Sequence, residues 1–328
     1  MTKKVVTLGE MLLRLSTRTG QRFSQADAFQ VHIGGAEANV AINLARWGYH
    51  TALATIVPDH PIGQLAVDHL ERHQVDTAFV EQKGTRLGTY YLESGNHIKQ
   101  PKVVYDRAFS SFATEHLEHD DHTLLAGADL LHVTGITLAL SSQWIDRVVQ
   151  LLKYAKEKQV KVSLDMNYRA SLWSIEEARL AFEKVLPYID YCSAGQLDAP
   201  AFFGVSDDTD DYFTAMKRSY PNIELFYSTK RDVISASHHK LHGQIWQDGA
   251  VAQSKQYDIY PIVDRVGAGD AFTAGVIHGL LSNATLDYTV QFATLNAVLK
   301  HSIEGDISLI ERQEIEQLLA NQSGGISR

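Results

Sequence analysis

A single cysteine, Cys192, stands in 328 residues. No disulfide framework can form, which excludes an exported, disulfide-stabilised protein. Basic charge is also in deficit: 30 Lys and Arg against 39 Asp and Glu leave a net charge of −9. That balance argues against a nucleic-acid partner, which needs a clustered basic face. A small anion needs only a local set of donors. No apolar run reaches the length of a membrane span, so no membrane partner is expected. The start, MTKKVVTLGEMLLRLS, holds two lysines but only a short apolar run, broken by Gly9, Glu10 and Arg14. No signal peptide is expected, and the expected setting is the cytoplasm. Internal repeats and low-complexity linkers are missing. So is a G-x-G-x-x-G after the first strand-like segment, where LGEML stands instead; a nicotinamide dehydrogenase is not expected. What remains, 45% hydrophobic and 21% charged, is the composition of an ordinary globular chain.

Apolar periodicity places strands at 5–8, 11–15, 51–57, 77–81, 85–93 and 101–105, and helices over 36–47 and 61–73. Gly95-Asn96 is a hairpin signal inside this β-rich block. From 128 onward strand and helix alternate: strands near 128–135, 160–167, 189–195 and 222–229, helices over 141–159, 174–186 and 208–219. Residues 240–261 supply hairpin strands, and helices after Asp270, over 286–301 and over 309–320 finish the chain. The tail 321–328 is expected to fray. Alternation of this kind predicts an α/β fold with a mostly parallel sheet covered by helices on both faces. Ligands bind beyond the carboxyl ends of such strands. Asp165, Asn167, Gly35 and Asp270 all follow strands and could share one cleft.

The most informative stretch is DRVGAGDAFTAG, 264–275. Gly267, Ala268 and Gly269 let main-chain N–H groups crowd together. Ala271, Phe272, Ala274, Val276 and Ile277 follow at the spacing of a buried helix. A helix starting at such a turn aims unpaired N–H groups and its positive dipole end at whatever sits there, which suits an anion. Asp270 lies at the lip. It reads equally as an ordinary helix cap or as a base that takes a hydroxyl proton while the N–H groups stabilise a transferring phosphoryl group. HIGGAEANVAINLARWG holds a second glycine turn, Gly34-Gly35, feeding a helix that Gly48 stops.

These two segments resemble the two signatures of the ribokinase-like carbohydrate kinases, and the resemblance runs from residue 4 to 320. YDRAFSSF (105–112), LDMNYRASLW (164–173), KHSIEGD (300–306) and Arg265, where most relatives have threonine, are similar to the 2-keto-3-deoxygluconate kinases of that family. The resemblance implies a three-layer α/β/α kinase domain over 1–328. It adds a small β lid from strands within about 11–33 and 77–107, through which subunits pair as a homodimer or larger homo-oligomer. It implies phosphorylation of a sugar acid on its 6-hydroxyl by ATP with Mg²⁺. Asp270 would be the base, with the Gly267, Ala268, Gly269 and Asp270 amides as the anion hole. Gly34, Gly35, Asn39 and Asp306 would lie near the sugar.

Arg107 and Arg169 are candidates to grip the acid's carboxylate, because a guanidinium offers a planar fork of donors; surface ion pairs are the alternative. Tyr90 and Tyr105 could add hydroxyl donors and an apolar wall, with Tyr91 assigned to the core. Asn39 could equally be an ordinary helix-surface residue. On the nucleotide side, Asn167, Ser228, Lys230 and Asn296 are candidates. STKRDVISASHH, read as a loop, carries Lys230, Arg231 and Asp232 where the family usually has glycines. A charged surface loop is equally compatible. Relatives often carry Asn-x-x-Glu for Mg²⁺; here Gly195 and Asp198 stand in those places, leaving Asp198 as a water-mediated metal residue. The histidines of HLEHDDH (116–122) match no zinc spacing and read as a polar surface. A fructokinase-like sugar kinase on the same scaffold and a catalytically weak sugar- or nucleotide-binding protein are the competing readings.

Overall fold

The structure, a computed structural model, describes residues 2–206, 209 and 211–323. The end of the tail, 324–328, and the expected helical start at 208 and 210 lie outside the described residues. The strands in chain order are β1 (Lys4–Leu8), β2 (Leu12–Ser16), β3 (Gln30–Gly34), β4 (His50–Val57), β5 (Val80–Gln82), β6 (Gly88–Glu93) and β7 (Lys102–Asp106). They continue as β8 (Leu130–Thr134), β9 (Lys161–Asp165), β10 (Tyr191–Ser193), β11 (Leu225–Ser235), β12 (His238–Gln247), β13 (Ala250–Gln253) and β14 (Tyr257–Ile259).

Among the described residues one sheet has ten strands, in the order β13-β12-β11-β10-β9-β8-β1-β4-β5, with β14 on β12. From β11 to β5 every pairing is parallel, while β12 runs antiparallel to β11, β13 and β14. The central strands are short and apolar because both faces are covered: every residue of β8 is buried. On one face, helices Ser142–Glu157 and Ile175–Val185 pack their apolar stripes into a cluster around Phe182, Val162 and Phe226. On the other, helices Ala36–Arg46, Ala268–Leu281 and Leu286–Lys300 meet Val5, Val40 and Phe292. No described helix is long and apolar enough to cross a membrane.

A second sheet, β3-β2-β6-β7, is the small lid. Its make-up corrects one expectation: the strand near 77–81 is β5, which pairs with β4 at the edge of the main sheet. A second correction concerns STKRDVISASHH. It is not a loop: β11 runs unbroken through Lys230, Arg231 and Asp232, paired residue by residue with β12. Thr, Val and Ile in this stretch favour extended backbone, and the antiparallel partner satisfies its N–H groups. A third concerns Tyr91. Alternation along β6 sends Tyr90 inward and Tyr91 to the outer lid face, where Tyr91 packs edge-on against Phe29 at 5.8 Å.

Candidate active site

A cavity of about 1100 Å³ lies between the inner lid face and the carboxyl ends of the parallel strands. Leu12, Tyr90 and Tyr105 line its lid side; Ile136, Asp165 and Ser193 line it where β8 to β10 end, and Ser228 lines it from within β11. Chain continuity past each strand end therefore delivers one or two polar residues to a single place.

Its centre is the start of the helix Ala268–Leu281. Gly267 is the N-cap and has φ 81°, a left-handed conformation; a Cβ there would stand 1.7 Å from the carbonyl oxygen of Asp306. Only glycine meets both demands. Ala271 N–H closes the first turn onto Gly267 O at 2.9 Å, and Ala268 N–H makes a long bond of 3.4 Å to Arg265 O. The amides of Gly267, Gly269 and Asp270 bond to no acceptor among the described residues, which leaves them free to meet an anion. The helix begins before Asp270, which sits in its first turn and bonds to none of these amides. It is therefore not the cap.

Asp270 is instead held from the side. Asn39 Nδ2 donates to its Oδ2 at 2.7 Å, which leaves Oδ1 open to the cavity. Asn39 itself is buried, not on a helix surface. Burial pushes the Asp270 carboxyl up to about 7; the Asn39 bond opposes this, and the charges of Asp165 and Glu37 add to it. An acid poised there exchanges protons near neutral pH. Gly35, in the second glycine turn, has φ 152°, and its missing Cβ leaves room for the Glu10 carbonyl that would otherwise lie 2.4 Å away. Gly34 packs against Asp306, whose Oδ2 would lie 2.2 Å from a Cβ.

Beneath the lid runs a buried network. Arg14 donates to Asp306 Oδ1 at 2.7 Å, to Asp264 Oδ2 at 2.5 Å and to Ser16 Oγ at 2.7 Å. Tyr90 OH donates to Asp306 Oδ2 at 2.6 Å. The network ties the lid to the loops on either side of the anion hole. It also corrects the expected role of Tyr90, whose hydroxyl hydrogen is already used; toward a ligand that oxygen can only accept. Tyr105 packs beside it with the rings tilted, 5.8 Å between ring centres, and its hydroxyl has no partner among the described residues. Arg107 lines the cavity but is not a free fork: it is buried against Glu10, which Ser110 also binds. Arg169 is exposed in the cavity, and among the described residues its guanidinium bonds only to the neighbouring Tyr168 carbonyl, at 3.3 Å.

On the far side, Asn167 (φ 39°), Ser228 and Lys230 line the cavity. Asn296 does not. It is fully buried, donating to Ala271 O at 2.8 Å and Asn43 Oδ1 at 3.2 Å, and accepting from Ser308 Oγ at 2.8 Å. The expected nucleotide contact is corrected to a brace between helices; Ala297 and His301, one residue on and one turn on, reach the cavity instead. Asp198 Oδ2 accepts from Gly195 N–H at 2.8 Å and lies near Asp165, whose carboxyl burial pushes up to about 6. No group of three or more His, Cys, Asp or Glu side chains among the described residues is placed to hold a metal. Two carboxylates without a third ligand fit a divalent ion carried mainly by phosphate oxygens and water.

Sequence reasoning missed Arg14 and Arg231. Nothing in the periodicity of LLRLS distinguishes a cavity-facing arginine from an exposed one, and only the lid's position buries it.

An acid beside unpaired amides at a helix start, under a lid and beyond a parallel sheet, defines a phosphotransferase acting on a hydroxyl group. Residues 2–312 match the pfkB family carbohydrate kinases; the chain belongs to that family and is a carbohydrate kinase of the ribokinase fold. ATP is the phosphate donor in this family. A PfkB family carbohydrate kinase from Listeria grayi superposes with a TM-score of 0.96 at 57% identity, covering 97% of this chain and 100% of that one. The 2-dehydro-3-deoxygluconokinase of Thermotoga maritima superposes at 0.93 with 37% identity, covering 97% and 99%. The 2-dehydro-3-deoxygalactonokinase of Haloferax volcanii is 28% identical over the full length of both chains.

Proposed function

We propose that this kinase transfers the γ-phosphoryl group of ATP to the 6-hydroxyl of a 2-keto-3-deoxy sugar acid, in the gluconate or the C4-epimeric galactonate configuration. The observation that carries the reading is the pairing of Asp270, with one free carboxylate oxygen, and the unengaged guanidinium of Arg169 in one cavity. A neutral hexose has no use for that cation; a sugar carboxylate does.

Asp270, ionised, accepts the proton of the 6-hydroxyl as the oxygen attacks the γ-phosphorus. The O–P bond forms, the bond to the β–γ bridging oxygen breaks, and its electrons leave with ADP. The amides of Gly267, Gly269 and Asp270 stabilise the charge on the transferring group. Asn39 keeps the carboxylate turned toward the hydroxyl. The ring of Tyr105 walls the sugar carbons. Asp165 and Asp198 would hold Mg²⁺ through water, and the ion, when bound, neutralises charge on the phosphates.

A panel of 2-keto-3-deoxygluconate, 2-keto-3-deoxygalactonate, fructose and ribose in an ADP-release assay tests the reading. Turnover is expected with a keto acid and not with the neutral sugars; the reverse order would point to a fructokinase-like enzyme, and no turnover at all to a binding protein. Arg169→Gln is expected to raise KM for the keto acid roughly 10- to 100-fold with a smaller change in kcat, the loss of one charge-assisted pair. Initial-rate kinetics decide this, and an unchanged KM removes Arg169 from the acid's site.

The outer lid face carries exposed Val31, Val104 and Phe29 beside half-buried Leu15 and Tyr91. A contiguous apolar strand face of this kind suits a second copy of the lid. Sedimentation is expected to find a dimer, which Val31→Lys with Val104→Lys converts to monomer; a wild type that is monomeric at micromolar concentration would refute lid pairing.

A further inference from the structure

Besides Arg169, two arginines in this cavity have no counter-charge in contact among the described residues. Arg231 projects from β11 and Arg265 from the turn before the anion hole; both line the cavity. Neither makes an ion pair or a side-chain hydrogen bond among the described residues, although Asp232 and Asp264 are their chain neighbours. Those two carboxylates are engaged elsewhere. Asp264 is bound to Arg14, Gly305 N–H and Val266 N–H, and Asp232 accepts from Gln256. Arg231 also feels the positive charges of Arg265 and Arg169. Partial burial disfavours the charge on Arg265, and the Asp264 carboxylate opposes this only from a distance. Arg231 is exposed in the cavity and Arg265 half-buried, and like charges held near one another without a counter-ion repel in the empty protein. They are tolerated where a polyanion fills the gap between them.

Position selects the anion. Arg169 is the arginine whose charge acts on Asp270, so it faces the acceptor. Arg231 and Arg265 act on His239, whose ring meets that of His301, a residue lining the cavity. Lys230, also without an ion pair, precedes Arg231 on the same strand. A monocarboxylate could neutralise one of these cations; a triphosphate can neutralise them all.

We propose that Arg231 and Arg265 are phosphate-binding residues that clamp the β- and γ-phosphates of the nucleotide from two sides, one from the strand and one from the turn. This rests on the kinase reading above but not on the identity of the sugar. In such a clamp the guanidinium forks span oxygens of adjacent phosphates, fixing the γ-phosphorus over the amides of Gly267 and Gly269. The same two side chains repel each other when the nucleotide leaves.

The test is calorimetric titration of ATP, ADP and AMP, at constant magnesium, into wild type, Arg231→Gln, Arg265→Gln and the double variant. Each single change is expected to weaken ATP binding about 10- to 100-fold, the range for a charge-assisted bond to phosphate. AMP binding, which needs neither outer phosphate, should change less than about threefold on the same bookkeeping. Without nucleotide, the variants should melt at a higher temperature than wild type, because removing either charge relieves the crowding; a merely structural arginine would move the melting point down. Arg265→Lys keeps charge without the fork and should fall between. ATP affinity unchanged in the double variant overturns the proposal. So does a parallel loss for AMP, or a rise in keto-acid KM with ATP binding intact. A wild type that phosphorylates no sugar acid yet binds ATP through these arginines would sink the substrate reading and leave this one standing.

Discussion

Asp270→Asn is expected to lower kcat by about 10³-fold or more while ATP still binds and the chain still folds. General-base removal alone typically costs about 10²- to 10⁴-fold, and here the same carboxylate also aligns the nucleophile. Asparagine keeps the shape and can still meet Asn39, so the loss should fall on chemistry. Two pH signatures separate this role from packing. The Asp270 carboxyl sits near 7, so kcat/KM should fall about tenfold per pH unit below that value in wild type. The variant should lack that limb. Stability moves oppositely. Because the folded carboxyl is raised to about 7 from its ordinary value of 3.8, its contribution to folding is full below the lower value and is lost as pH rises through the upper one. The asparagine variant should therefore melt above wild type at pH 8 and lose that advantage near pH 4. Thermal scans and rate profiles over the same range check both. Near-wild-type turnover in the variant, or an unaltered acid limb, would remove Asp270 from the mechanism.

Gly267→Ala should be the second most damaging change. A methyl group there meets the Asp306 carbonyl oxygen at 1.7 Å, in a backbone that alanine adopts only under strain. The turn must shift, and with it the amides that face the phosphoryl group. Loss of one such donor costs about 10²- to 10³-fold in kcat. The strain should also lower the melting temperature. Gly269→Ala is the control, since nothing lies within 4 Å of its would-be Cβ. It tests whether glycine content or turn geometry matters: the first variant should fail and the second retain most of its stability. Equal melting points for the two would show that the crowding at Gly267 is relieved without cost.

Sites whose chemistry is local were legible before any coordinates. The glycine turns, the acid after the second one and the strand–helix alternation all follow from backbone geometry within a few residues. Asp270 could not be separated from a cap on its own segment, because capping and catalysis place the same residue at the same spot. The bond from Asn39, far away in sequence, decides between them. Arg107 and Arg169 looked equivalent for a similar reason. Each is an arginine after a strand, and only the packing of Glu10 against one of them leaves the other free. Asn296 reads from the sequence as a cavity residue, but Ala297 lines the cavity in its place, a single helical step that rotates a side chain by about 100°.

By itself the sequence determined the class of fold, the order of its elements and the two turns that can hold an anion, because those depend on periodicity and on residues that tolerate unusual backbone. Tertiary structure decided which charges are spent and which are available. Arg14, Arg107, Tyr90 and Asp306 are engaged by partners brought from distant segments, whereas Arg169, Arg231 and Arg265 form no ion pair among the described residues. Pairing between charges depends on distances that only the closed fold sets, and no local pattern along the chain encodes them.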